Sequence, residues 1–489
     1  MPHNSPNPIR RPRAARFLLL AFSALVVVLP AAADDPTAAP DLFLARYELG
    51  RRMAAFEQEW EAVEDPAGRK RAATELGKVH QQFLTFRLAE AGRTLDLATH
   101  ALRGEAPPGT NAQWAASLYA APSTRVVDGK ATELAVVVRP LYPPAGDVPK
   151  NLEVQLWFTD KQVVTVKPDR FPVTVKVPLP PLGDATGLDR KLYFMVEAGK
   201  NVRRTAVGVS QVDRAAVRVV ALGKAAGGWT ALDTIERATV RDRAVVLDQV
   251  LAGQVPEIDL PVAGLLANAE TMLDGTPFFT AAKAGQFWLS VPLGGTKSAP
   301  VRVFVPKGLD PKKPVPVVVG LHGAGGSENL FFEGYGLGRA VAECEKRGWV
   351  FVATRSNLDF TGGPPFAAIL DELAKRYPLD PKRTFLIGHS MGAVQTIRLA
   401  QKHPGKFAAV AVLGGGGAVT DAKAFTALPV FVAAGEKDFG LGYARDLNAA
   451  LAAGGAKNVT YTEYPGVEHL LVVRAALPDV FARFDKAAK

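Results

Sequence analysis

Residues 384–395 read TFLIGHSMGAVQ, and the reading of this stretch decides the fold. Thr384–Ile387 is a short apolar run of the kind buried in a parallel sheet, and Ala393–Lys402 continues with helical spacing. Between them stands Gly388-His389-Ser390-Met391-Gly392. Strand, Gly-x-Ser-x-Gly turn and helix make a nucleophile elbow, which holds a serine hydroxyl exposed at the carboxyl end of a central strand. Glycine suits 388 and 392 because a larger side chain would crowd a backbone forced into so tight a turn. In a chain with 45 glycines the pattern also arises by chance. The surrounding sequence must therefore supply a base, an acid and an oxyanion site in the right order.

From 286 to 489 strand-like runs alternate with helical ones. Val315–Leu321, Val350–Thr354, Ala408–Leu413, Val430–Ala433 and Thr460–Tyr464 are short apolar strands, and Phe287–Val291 with Val301–Val305 predicts an initial antiparallel pair. A serine attacks only when a base removes its proton. Among seven histidines, His469 stands five residues past the last strand, in a loop at the same sheet edge as Ser390. His389 adjoins Ser390 and is expected to point away from it. The base needs a carboxylate to fix its tautomer. Asp438 lies four residues past the strand Leu428–Ala434, with Glu436 as the alternative. Charge developing on a carbonyl oxygen calls for two backbone N–H donors. One is Met391, directly after the serine; the other comes from Leu321-His322-Gly323-Ala324-Gly325-Gly326, with Ala324 the first choice and Gly323 the alternative. No Lys-Ser/Thr follows these glycines, which argues against a phosphate-binding loop. His322 reads as support beneath it.

With Leu-His-Gly-Ala-Gly-Gly, Gly-His-Ser-Met-Gly and the order Ser390, Asp438, His469, residues 286–489 resemble the α/β-hydrolase superfamily. They particularly resemble secreted esterases of the polyhydroxybutyrate-depolymerase and feruloyl-esterase-like type, with prolyl-oligopeptidase and dienelactone-hydrolase-like catalytic domains as near relatives. The resemblance implies a Ser-His-Asp esterase with no metal and no organic cofactor. Such motifs serve many esters and some amides. A serine peptidase of prolyl-oligopeptidase-like type stays open, as does a carbohydrate-binding or adhesion protein with a vestigial hydrolase domain. Only 15 residues, Gly414–Leu428, stand where many lipases insert a lid, so no large cap is expected there and the cleft is expected to be open. Phe331, Phe332, Tyr335, Phe360, Phe366 and Phe439 are the candidate wall residues, suited to an aryl ester or the end of a polymer chain.

The expected fold class is α/β, a mostly parallel sheet flanked by helices, preceded by a helical region and an immunoglobulin-like β-sandwich. In residues 1–33, Arg10, Arg11, Arg13 and Arg16 precede the apolar run Phe17–Leu29 and the Ala31-Ala32-Ala33 exit, the pattern of a signal peptide cleaved after Ala33. A periplasmic or extracellular protein follows, with no membrane span after cleavage. Residues 34–110 predict a helical hairpin with His80 and His100 in packing or surface roles, since neither has a partner at i+4 for a metal. Residues 117–220 predict a sandwich, from strands Leu134–Val138, Leu152–Phe158, Val163–Val166, Val173–Val177, Leu192–Val196 and Val217–Ala221. Residues 228–280 predict a helical segment packing on 34–110. Loss of the four arginines leaves 54 basic against 48 acidic residues, about +6, spread without basic runs, which argues against nucleic acid as a partner. Cys344 is the only cysteine, so no internal disulfide forms.

Overall fold

The computed structural model describes residues 41–104, 107–356 and 364–489; the expected signal peptide and Phe360 lie outside the described residues. The chain opens with α1 (Leu42–Ala62), α2 (Pro66–Leu76), α3 (Val79–Leu84) and α4 (Leu88–Leu102), where the sequence predicts two helices. Asp41 and Asp65 cap α1 and α2 by accepting backbone N–H bonds, as short acidic side chains do at helix starts. The second predicted helix breaks at Gly77 and again at Phe86, whose φ of 59° turns the chain out of the helical basin. Buried Arg52 fastens α1 to its surroundings, bonding Glu48 (2.7 Å), Asp96 of α4 (3.0 Å) and the carbonyls of Ala116 and Ser117.

Helix α5 (Thr110–Ser117) leads into β1 (Leu118–Pro122), β2 (Val126–Asp128), β3 (Glu133–Pro140), β4 (Leu152–Trp157), β5 (Val164–Val166), β6 (Val173–Pro178), β7 (Gly187–Ala198) and β8 (Asn201–Val212). These form two sheets, ordered β1-β3-β6 and β2-β8-β7-β4-β5. Their alternate residues, Leu134, Val136 and Val138 on one and Leu152, Val154 and Leu156 on the other, share one core. The predicted strand Val217–Ala221 lies instead in α6 (Ala215–Gly227). Its β-branched run misleads: Val219, Leu222 and Ala226 are buried at helical spacing, while Val217 and Val220 are exposed. Helices α7 (Ile235–Leu251) and α8 (Val262–Leu273) follow.

The rest of the chain is β9 (Gly285–Pro292), β10 (Ser298–Val305), β11 (Val315–Leu321), α9 (Arg339–Arg347), β12 (Val350–Thr354), α10 (Phe366–Ala374), β13 (Leu379–His389), α11 (Met391–Lys402), β14 (Ala409–Leu413), β15 (Val430–Gly435), α12 (Leu441–Ala453), β16 (Val459–Tyr464) and α13 (Val472–Ala487). The eight strands order as β16-β15-β14-β13-β11-β12-β10-β9, parallel from β16 to β12 and antiparallel at β10 and β9. From β11 the chain goes to β12 on one side and then to β13 on the other. The crevice outside the carboxyl ends of β11 and β13 is thus a topological switch point, where open α/β sheets bind their ligands.

Side chains alternate across this sheet. Val317, Val319 and Leu321 face a core shared with α6, α7, α8, α10, α11 and α12; Val318, Phe351, Phe385 and Ile387 face the core of α1, α2, α4, α9 and α13. Helices α7 and α8 and the segment α1–α4 thus serve opposite faces of the sheet, and 228–280 meets 34–110 through the loop after α7, where Glu257 and Asp259 bond Arg46 and Tyr47 of α1. Cys344 is fully buried in the second core. Among the described residues no helix is long and apolar enough to cross a membrane, and no cluster of three metal-ligating side chains occurs.

Candidate active site

Ser390 sits between β13 and α11 with φ 56° and ψ −112°, a conformation that a side-chain-bearing residue holds only under constraint. Its flanking glycines are sterically required. A Cβ on Gly388 would run into the carbonyl of Gly392 and the hydroxyl of Thr396, and one on Gly392 into the carbonyl of Leu321. The serine N–H donates to the Leu413 carbonyl of β14 (2.9 Å), which seats the turn at the switch point.

The loops after β15 and β16 bring Asp438 and His469 together: His469 Nδ1 lies 2.7 Å from Asp438 Oδ1, and both residues are buried. Burial alone would raise the Asp438 carboxyl, but the His469 hydrogen bond and the Gly440 N–H (2.6 Å) hold it below its ordinary value. Asp438 is thus the charged acceptor that fixes the imidazole with Nδ1 protonated, leaving Nε2 as the basic nitrogen. Glu436 is exposed and accepts from Gly466 N (2.9 Å), away from His469. Ser390 and His469 line one cavity, which also contains Gly323 and Ala324.

His389 is occupied. Its Nε2 bonds the His469 carbonyl (3.0 Å), which can only accept, so the proton is on Nε2 and Nδ1 receives the Tyr335 hydroxyl (2.8 Å). Tyr335 Oη in turn accepts from Gly323 N–H (3.1 Å). This buried chain ties the glycine loop, the elbow and the backbone of His469 to one another. Burial drives the His389 pKa down to about 3, which keeps the ring neutral. The same chain occupies Gly323 N–H, so the alternative donor falls away and Ala324 and Met391 stay as the candidates. His322 lies buried beneath the loop, its Nδ1 2.7 Å from the Gly323 carbonyl and its Nε2 accepting from Ser356 N (3.0 Å).

The aromatic wall differs from the expectation. Phe331 and Phe332 are buried, because a π-helical turn, Leu330–Gly334, rotates them under the sheet edge. Phe331 packs against Gly320 and Phe351, and Phe332 lies under the Arg302 guanidinium. Phe366 likewise packs in the core, against Phe407. Tyr335 reaches the cavity but serves the network above. Phe439 remains at the site, its ring 4.0 Å from that of His469 and 48% exposed.

The segment between β14 and β15 carries no lid, and α1 and α3 line a half-open cavity of about 340 Å³ that contains Ser390. Leu49, Met53, His80, Phe83 and Leu84 come from those helices. The His80 ring stacks on Phe439 with centroids 4.3 Å apart and lies 6.3 Å from His469. Helical spacing marks the apolar faces of these helices, but no sequence signal says what they cover.

Residues 316–458 match the family model described as the alpha/beta hydrolase fold. Over these residues the large sheet has the α/β-hydrolase fold. NocK of Nocardia uniformis subsp. tsuyamanensis, named as an esterase, is 33% identical over 112 residues, 20% of this chain. The chain spans 33% of the length of that relative. Among solved structures, a feruloyl esterase module from Clostridium thermocellum is 17% identical with a TM-score of 0.34, over 40% of this chain and 86% of its own. A thermostable esterase is 18% identical with a TM-score of 0.38, over 76% of this chain and 99% of its own. In this fold the Ser390 turn, the Asp438–His469 pair and the glycine loop meet at the carboxyl edge of the sheet.

Proposed function

We propose that the protein is a serine hydrolase of carboxylic esters. The observation that carries this reading is the strained Ser390 turn sharing one cavity with the Ala324 loop and with His469, which Asp438 holds from behind. Ser390 Oγ attacks the ester carbonyl while His469 Nε2 takes its proton, and Asp438 stabilises the imidazolium. The carbonyl oxygen, now an anion, is met by the N–H groups of Met391 and Ala324. Collapse expels the alcohol, which takes the proton back from His469. Water repeats the sequence on the acyl-enzyme and releases the acid.

Residues 1–33 fit a signal peptide, so this reading places the site in the periplasm or outside the cell, and the two-sheet β unit is read as an immunoglobulin-like spacer. Exported protein beginning at Asp34 is the expected product in an intact-mass measurement. Steady-state hydrolysis of p-nitrophenyl acetate tests the chemistry. Ser390→Ala and His469→Ala are each expected to lower kcat by about 10⁴-fold or more, and Asp438→Asn by somewhat less. Full activity in Ser390→Ala would falsify the assignment.

A further inference from the structure

We infer that α1 and α3 form an acyl pocket, and that the enzyme selects esters whose acid carries an uncharged apolar arm of medium length. This rests on the ester-hydrolase reading above. Three observations on the page fix the side of the site that the pocket serves. The Phe83 ring of α3 stands where a Cβ on Gly325 would be, so α3 seats directly on the glycine loop. Arg46 of α1 donates to the Gly325 carbonyl (2.6 Å) and pairs with Glu257 (2.6 Å), so α1 is pinned to the same loop. One turn before Phe83 on the same helix, His80 stacks on Phe439 beside His469, so α3 runs from the base to the glycine loop.

The leaving-group oxygen must lie next to His469, which reprotonates it. The arm that runs under α1 and α3 toward Gly325 and Leu330 is consequently the acyl one. Its walls are Leu49, Met53, Phe83 and Leu330. The cations that line it are already engaged, Arg46 with Glu257 (2.6 Å) and Arg51 with Glu48 (3.7 Å) and the Tyr47 hydroxyl (2.9 Å), so among the described residues the pocket offers no free cation to a dicarboxylate. At about 340 Å³ the cavity is at the small end of ligand sites, roughly 300–1,000 Å³. A cavity of this size holds one arm of medium length. Each methylene buried against such walls multiplies binding about fourfold.

The test is the chain-length profile of the full-length enzyme on p-nitrophenyl acetate, hexanoate, octanoate and hexadecanoate. The ratio of kcat/KM for octanoate over acetate is expected to reach at least about tenfold, with hexadecanoate falling again. Met53→Trp fills the pocket and is expected to reverse that ratio. Gly50→Leu is the second variant, because an added Cβ meets only the Glu257 carbonyl at 3.8 Å and leucine favours the helix; it is expected to shift the ratio in the same direction. A flat profile, or a ratio unmoved in a folded Gly50→Leu, overturns the inference while leaving the ester-hydrolase reading intact. Failure of wild type to hydrolyse any of these esters overturns both.

Discussion

Tyr335 shows how a single hydroxyl can matter without touching substrate. It holds Gly323 and His389 at once, so Tyr335→Phe leaves a buried N–H and a buried imidazole nitrogen unpaired, at about 1–3 kcal/mol each. The expected result is a lower unfolding midpoint and, on the proposed function, a fall in kcat larger than any change in KM, since the glycine loop loses its fixed position. Glu468 offers a pH test. Burial raises its carboxyl from 4.5 to about 8, so the folded chain keeps a proton there that the unfolded chain releases. Its contribution is fully present below about pH 4.5 and is lost as pH rises to about 8. Glu468→Gln is expected to flatten that part of the Tm-against-pH curve, and an unchanged slope would contradict the assignment. At this scale the placement of Ser390, Asp438 and His469 at one sheet edge was legible because strand ends fix where loops emerge. His80 was not, because a lone histidine on a helix carries no mark of the element that will face it. Phe331 and Phe332 misled for a related reason: one π-helical turn reverses which way a side chain points.

The elements are held by buried polar pairs as well as by apolar faces. Glu57 of α1 lies 3.2 Å from Arg474 of α13, and burial lifts its carboxyl to about 7 despite that cation and the N–H groups of Gly336 and Leu337. Removing the cation lifts the carboxyl further, so the cost is that of buried polar groups losing a partner. Arg474→Leu, which also takes the partner of Glu61, is therefore expected to cost about 1–3 kcal/mol in a denaturant titration, and adding Glu57→Leu to recover part of that loss. Additive losses in the double variant would contradict a direct pairing. Strands of the large sheet were readable from their apolar runs, whereas α6 was misread because its valines imitate a strand until the buried positions are spaced. The break of the predicted hairpin into four helices turns on Gly77 and the left-handed Phe86, a backbone state that phenylalanine does not advertise.

Across the whole molecule the central sheet is shared property: α6, α7 and α8 cover one face and the segment α1–α4 joins the core of the other. No lid stands between β14 and β15, and helices from the far end of the sequence line the cavity, an arrangement invisible to a reading that looks for caps only where hydrolases insert them. Because these helices and the sheet share a core, loss of turnover and loss of near-ultraviolet circular dichroism are expected to coincide on heating; activity lost well before the aromatic signal would show the helices unfolding separately. The central claim remains chemical and has one direct test. Wild-type protein treated with an alkyl fluorophosphonate and digested for mass spectrometry should carry a single adduct on the peptide containing Ser390, and Ser390→Ala should carry none. An unlabelled wild type, or an adduct on another residue that persists in Ser390→Ala, would contradict the account.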